Sequence, residues 1–222
     1  MAWAELALAF LAFFVSHAIP VRPPVKPWLV SRLGAIGFAV LYSAVSLAIL
    51  GWLIVAAGRA PFVELWPWAP WQSQVALALM LPACLILAVS AGRPNPFSFG
   101  GGASERFDPS RPGILRWTRH PLLAALALWA LAHTVPNGDL AHLLLFGSFA
   151  AFAVMGGRLV DRRKRREMGK DWQDLLTRVD RTALVPKPAS YGATVVRIAL
   201  GLGLFLGLIW LHPLGLGVDP LP

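Results

Sequence analysis

Charge is what this sequence has least of. Lys, Arg, Asp and Glu together supply 14% of 222 residues, too few to cover the surface of a soluble domain of that length. A single cysteine, Cys84, excludes an intramolecular disulfide and any Cys-x-x-Cys metal site; within the apolar run MLPACLIL it reads as a small packing residue. No Lys or Arg precedes the first apolar run, where Glu5 stands instead, so the charged leader of a cleaved signal peptide is missing and the run is expected to stay as a first span. The glycines of NPFSFGGGASE follow no strand-like run and match neither the P-loop nor the dinucleotide fingerprint, which removes the usual reason to expect a phosphate-cradling loop there.

What the chain has in quantity is apolar length. Hydrophobic residues make up 57% of it and the mean hydropathy is +0.62. Runs near the roughly 20 residues that cross a hydrocarbon layer occur at about 3–20, 34–57, 73–91, 121–135, 139–158 and 192–212. The expected fold is all-α, a six-span transmembrane bundle forming one domain over 1–222, with a core at 6–190 and a final span at 192–212. The fourth run is short, and Ile114, Leu115 and Trp117 are expected to extend it.

Eighteen of the twenty Lys and Arg fall in alternate loops of this scheme, against Arg59 on the other side and Arg197 inside the last run. The positive-inside rule then turns both termini outward. Topology and attraction to anionic lipid account for the net charge of +9, leaving no call for a nucleic-acid partner. Trp52, Trp66, Trp68 and Trp71 suit an interfacial aromatic belt, and TVPNGD suits a tight turn. In the basic segment 158–188, Leu159, Met168, Trp172, Leu175, Leu176 and Val179 form a helical stripe, expected to lie on the inner leaflet as an amphipathic helix.

The five histidines carry the remaining chemistry, because an ionisable group at a span is costly to place and is often functional. The topology puts His17 and His120 at one depth on the inward side, and His133, His142 and His212 near the outward ends of their spans. His120 precedes Pro121, an arrangement that starts a helix. From His120 to His133 the rise is about 20 Å, so one metal cannot take both. Imidazole is a good haem ligand, and two imidazoles at one depth on two helices, here His17 and His120, are what a six-coordinate haem needs. His142 and His212 read as hydrogen-bonded anchors.

FFVSHAIPVRP, NPFSFGGG, GILRWTRHPLLAALALWALAHTVPNGD and GGRLVDRRKRR together resemble the NnrU family of bacterial membrane proteins over residues 6 to about 215. That resemblance implies the bacterial inner membrane and a role beside nitrite or nitric oxide reductase systems in denitrification. The SHA, TRHP, LAHT and LHPL segments are also similar to 15-cis-ζ-carotene isomerase. This second likeness implies haem b, an apolar substrate such as a carotenoid, and iron ligands at the counterparts of His17 and His133. His17, His120 and His133 all stand as ligand candidates, with Arg119 as a partner for haem propionates. TRHP also resembles membrane methyltransferases that use S-adenosylmethionine, but Leu123 replaces their usual tyrosine. Glu167 and Asp171 are the acidic residues available for that chemistry. An accessory protein that catalyses nothing is the remaining alternative.

Overall fold

The computed structural model describes residues 1–98 and 104–222, which places the triple glycine Gly100–Gly102 outside the described residues. Seven α-helices account for most of them: α1 (Ala2–Ala18), α2 (Val25–Arg59), α3 (Pro70–Ser90), α4 (Pro121–Thr134), α5 (Leu140–Met168), α6 (Lys170–Asp180) and α7 (Tyr191–Leu216). The described residues include no strand, only an isolated antiparallel bridge between Glu64 and Asp139. Four helices, α2, α3, α5 and α7, are long and apolar enough to cross a bilayer, and they are those of a membrane protein. α1 has 17 residues and α4 has 14, lengths of roughly 25 and 21 Å.

Local chemistry explains where the helices start and stop. α3 begins with Pro70, and the Gln72 side chain accepts the Ala69 N–H at 3.0 Å, satisfying one of the donors that a helix start leaves unpaired. Ser190 caps α7 by accepting the Ala193 N–H at 3.3 Å, and Gly217 closes it in the left-handed conformation. Asp139 Oδ1 takes the N–H groups of Ala141 and His142, both at 3.1 Å, at the head of α5. Inside α2, Gly34 at φ 71 and ψ 166 breaks the helix, so the apolar part that follows it agrees closely with the expected span.

Three expectations need correction. α4 is not extended by Ile114, Leu115 and Trp117. Residues Gly113–Arg116 form a separate 3-10 turn, and His120 at φ −120 and ψ 64 lies outside helical geometry, as the proline after it demands. α5 runs ten residues past the expected end of its span, through DRRKRREM, until Gly169 at φ 59 separates it from α6. The amphipathic helix α6 turns its apolar side to protein. Trp172 and Val179 are buried with Phe97, Ile114 and Leu115, and Met168, Leu175 and Leu176 pack around them, whereas Leu159 is 60% exposed.

The chain divides into two compact units, Met1–Trp66 with Asp139–Leu145, and Pro67–Gly138 with Phe146–Pro222. In the first, α1 buries Leu6, Ala9 and Phe13 and α2 buries Leu53, Ala56 and Ala57, helical spacings that give each helix one buried stripe. In the second, α3 packs on α4 and on α7. Gly201 is the close-approach point of α7: a Cβ there would meet the Leu85 Cα at 3.1 Å and the Ala88 Cβ at 3.2 Å. Small residues at such crossings let apolar helices touch along their backbones.

Candidate functional site

The two ends of α4 hold the two richest polar arrangements in the second unit. At the Pro121 end, His120 lies between Ser98 and Asp161. Its Nδ1 is 2.9 Å from the Ser98 hydroxyl and its Nε2 donates to Asp161 Oδ1 at 2.9 Å. Arg119 grips the same carboxylate, with Nη2 2.8 Å from Oδ2 and Nε 3.4 Å from Oδ1. Asp161 raises the pKa of Arg119 above the ordinary arginine value, chiefly through that hydrogen bond. Asn95 joins the loop to this cluster, donating to the Arg119 carbonyl at 3.0 Å and accepting the Phe97 N–H at 2.9 Å. Gly157 leaves just enough room for the imidazole, since a Cβ there would lie 3.1 Å from His120 Cδ2.

Hydroxyl, imidazole and carboxylate in this order also describe the nucleophile, base and orienter of a hydrolase. Ser98, however, is buried at 7% exposure, and it does not line the cavity at this end of the unit. The cluster is therefore read as a fastening of the 93–98 loop and His120 to α5.

At the other end of α4, His133 Nδ1–H donates to the Trp129 carbonyl at 2.8 Å, and His212 Nδ1–H in α7 donates to the Val218 carbonyl at 2.8 Å. These bonds set the tautomers, leaving each Nε2 with its lone pair. The two rings have centroids 6.4 Å apart and planes inclined by 32°. Trp129 and Phe146 flank His133 with centroids at 5.0 and 5.1 Å.

The other candidates belong to the first unit. His17 Nδ1–H donates to the Phe13 carbonyl at 2.8 Å, and its ring packs against Phe13 and Tyr42 with centroids at 4.1 and 5.8 Å. His142 Nδ1 meets Asp139 Oδ2 at 2.7 Å, which bears out its reading as an anchor. His212 is anchored too, and its ring also lies beside that of His133, a neighbour with which the expected topology shared its outward depth.

The pairing of His120 with iron does not fit its surroundings, because both of its ring nitrogens are taken by Ser98 and Asp161. Arg119 is likewise held by Asp161, about 20 Å of helix away from His133. Glu167 is paired along its own helix with Arg163 at 2.6 Å and Lys164 at 3.4 Å. Asp161 and Ser98 escaped the sequence reading. The signal for Asp161 was its place as the first acidic residue after the fifth apolar run, on the side expected for His120.

A family model described as NnrU protein matches residues 5–220, nearly the whole chain. The chain belongs to the NnrU family. No curated protein and no solved structure matches it. The NnrU match spans both units and takes in every histidine named above. Among the described residues no group of three or more His, Cys, Asp and Glu side chains gathers around a common point.

Proposed function

We propose that this NnrU protein is a six-span protein of the bacterial inner membrane, with both termini outward, that holds haem b and serves nitrogen-oxide metabolism beside a nitrite or nitric oxide reductase system. The observation that carries the haem reading is the His133–His212 pair. The two rings have centroids 6.4 Å apart, a spacing at which both imidazoles would be within reach of one bound group. Both rings are oriented by a carbonyl at Nδ1, the outer-shell bond typical of metal-ligating histidine. His133 and His212 are thus the residues that fit the group. When bound, haem supplies one-electron redox chemistry. The protein's part is to fix the imidazole tautomers through the Trp129 and Val218 carbonyls, and to keep the site apolar with Trp129 and Phe146.

For the topology, the support is the loop charge asymmetry together with the two short helices. At 17 and 14 residues, α1 and α4 cross a bilayer only where it thins or where neighbouring helices shield their ends.

The test is an absorption spectrum of the full chain purified after haem-supplemented expression. A Soret band and a b-type pyridine haemochrome are expected, with the band lost in His133→Ala and in His212→Ala. Colourless protein from that expression defeats the reading. For the nitrogen-oxide role, a deletion strain should accumulate nitrite or nitric oxide during anaerobic growth on nitrate. Growth and intermediates identical to the parent strain would leave the role without support. The same haem would serve a carotenoid isomerase, which conversion of tri-cis-ζ-carotene by the haem-loaded protein distinguishes.

A further inference from the structure

A cavity of about 400 Å³ opens at the Ser90 end of α3, bounded by the starts of α4 and α7 and by residues 93–95 and 106–112. Four arginines line it, Arg93, Arg106, Arg111 and Arg197, with Asp108 as the acidic residue among the lining side chains. That carboxylate is already engaged, accepting the Ser110 N–H at 2.9 Å and the Ser110 hydroxyl at 2.7 Å. Among the described residues, none of the four arginines has a carboxylate within salt-bridge distance. Nearby arginines do: Arg116 with Asp180 at 3.6 Å, Arg119 with Asp161 at 2.8 Å and Arg163 with Glu167 at 2.6 Å. The cavity thus collects four positive charges against one carboxylate, Asp108, whose charge acts on Arg111.

The arginines are also held in place. Arg197 Nη1 donates to the Ala88 and Ala91 carbonyls at 3.1 and 2.7 Å, which uses carbonyls at the end of α3 to position the guanidinium. Arg93 stands near enough to Arg197 for the two charges to repel. Burial first, and that repulsion second, lower the Arg93 pKa below the ordinary arginine value. An anion between them would relieve the repulsion, and the planar guanidinium fork suits the oxygens of a phosphate.

Size and position narrow the ligand. The volume lies in the range of sites for whole small molecules, more than one phosphate ion fills. Ile114 and Leu122 give the cavity an apolar wall. It opens where apolar α7 begins, and there Val196 and Leu200 are 58% and 63% exposed. A basic pocket between membrane helices is the setting in which anionic headgroups bind. We propose that this arginine-lined cavity binds a phosphate-bearing amphiphile, with the phosphate on Arg93, Arg106, Arg111 and Arg197 and the apolar part along α7. The site is independent of the haem reading, since no histidine lines it.

The experiment uses the full chain, delipidated in detergent, with phosphatidic acid, diacylglycerol of the same acyl chains and inorganic phosphate as probes. Binding is read by native mass spectrometry and by thermal unfolding followed through tryptophan fluorescence. Phosphatidic acid should bind at least tenfold more tightly than diacylglycerol, and each cavity arginine changed to Gln should weaken it by about tenfold. Because Arg197→Gln also removes the cap on α3, the decisive variants are the exposed Arg106→Gln and Arg111→Gln. Arg163→Gln and Arg166→Gln serve as controls for charge alone and should bind as wild type. Inorganic phosphate that binds and displaces the lipid would make this a site for free phosphate compounds; inorganic phosphate without effect would make it a lipid headgroup site. Equal binding of phosphatidic acid and diacylglycerol, unchanged binding by the two exposed variants, or an equal loss in the controls overturns the proposal.

Discussion

His120 and His133 open and close the same helix, yet their surroundings differ in kind. At the Pro121 end every nitrogen of the imidazole has a protein partner, and the carboxylate that receives it is shared with an arginine. At the Thr134 end one nitrogen is fixed on a carbonyl, and among the described residues the other has no hydrogen-bond partner. A histidine that is fully hydrogen-bonded spends its chemistry on holding structure together, while one with an oriented lone pair can act on a ligand. The comparison teaches that expected depth in the membrane, which paired His120 with His17, is less informative than the partners of each ring nitrogen.

The contrast is broken most severely by removing the packing under the structural end. Trp172 is 1% exposed and meets Phe97 edge-to-face with centroids at 5.3 Å, and Phe97 sits two residues from the Asn95 that fastens the loop. Trp172→Ala should cost about 3–5 kcal/mol, a fall in midpoint of roughly 10 °C for a chain of this size, measured by thermal unfolding in detergent. A midpoint within 2 °C or so of wild type would show that α6 does not hold that end. Asp161→Ala comes next. It leaves His120 and Arg119 without their shared acceptor, and with Arg119 partly exposed the expected loss is about 2 kcal/mol. Asp161→Asn should recover part of it by keeping one acceptor for the His120 N–H. Gly157→Ala is milder, because the added methyl asks the His120 ring to move by a few tenths of an ångström. About 1 kcal/mol is expected, and a stabilised variant would mean that the ring has slack.

How much of this could be read from the sequence depends on the range of the interaction. Apolar length is local, so the expected runs at 73–91 and 192–212 fall close to Pro70–Ser90 and Tyr191–Leu216. The helical stripe through Trp172 and Val179 was equally legible as a period. What it packs on was not, because Phe97, Ile114 and Leu115 reach it only through the folded loop. The end of α5 was misjudged for a related reason: DRRKRREM is too charged to be membrane, but Arg, Lys, Glu and Met favour helix in water, so the helix continues past the apolar run. At the site, the tautomer of each histidine is set by carbonyls and carboxylates whose positions no spacing rule gives. The cavity arginines were counted correctly and attributed to topology and a general attraction to anionic lipid, because a count has no geometry.

The smallest expected change in stability should accompany the largest change in function, at His133 and His212. Neither ring is tied to a carboxylate, and each anchoring bond is to a carbonyl that a helix-end water can satisfy, so either alanine variant should lose no more than about 1 kcal/mol. If both imidazoles hold one iron, His133→Ala and His212→Ala should each abolish the six-coordinate spectrum, and the double variant should lose nothing further, the non-additivity expected of residues that act as a unit. His120→Ala should do the reverse, lowering the unfolding midpoint while the spectrum of the remaining folded protein stays that of wild type. Spectral loss in His120→Ala without loss in His133→Ala would exchange the roles of the two ends of α4.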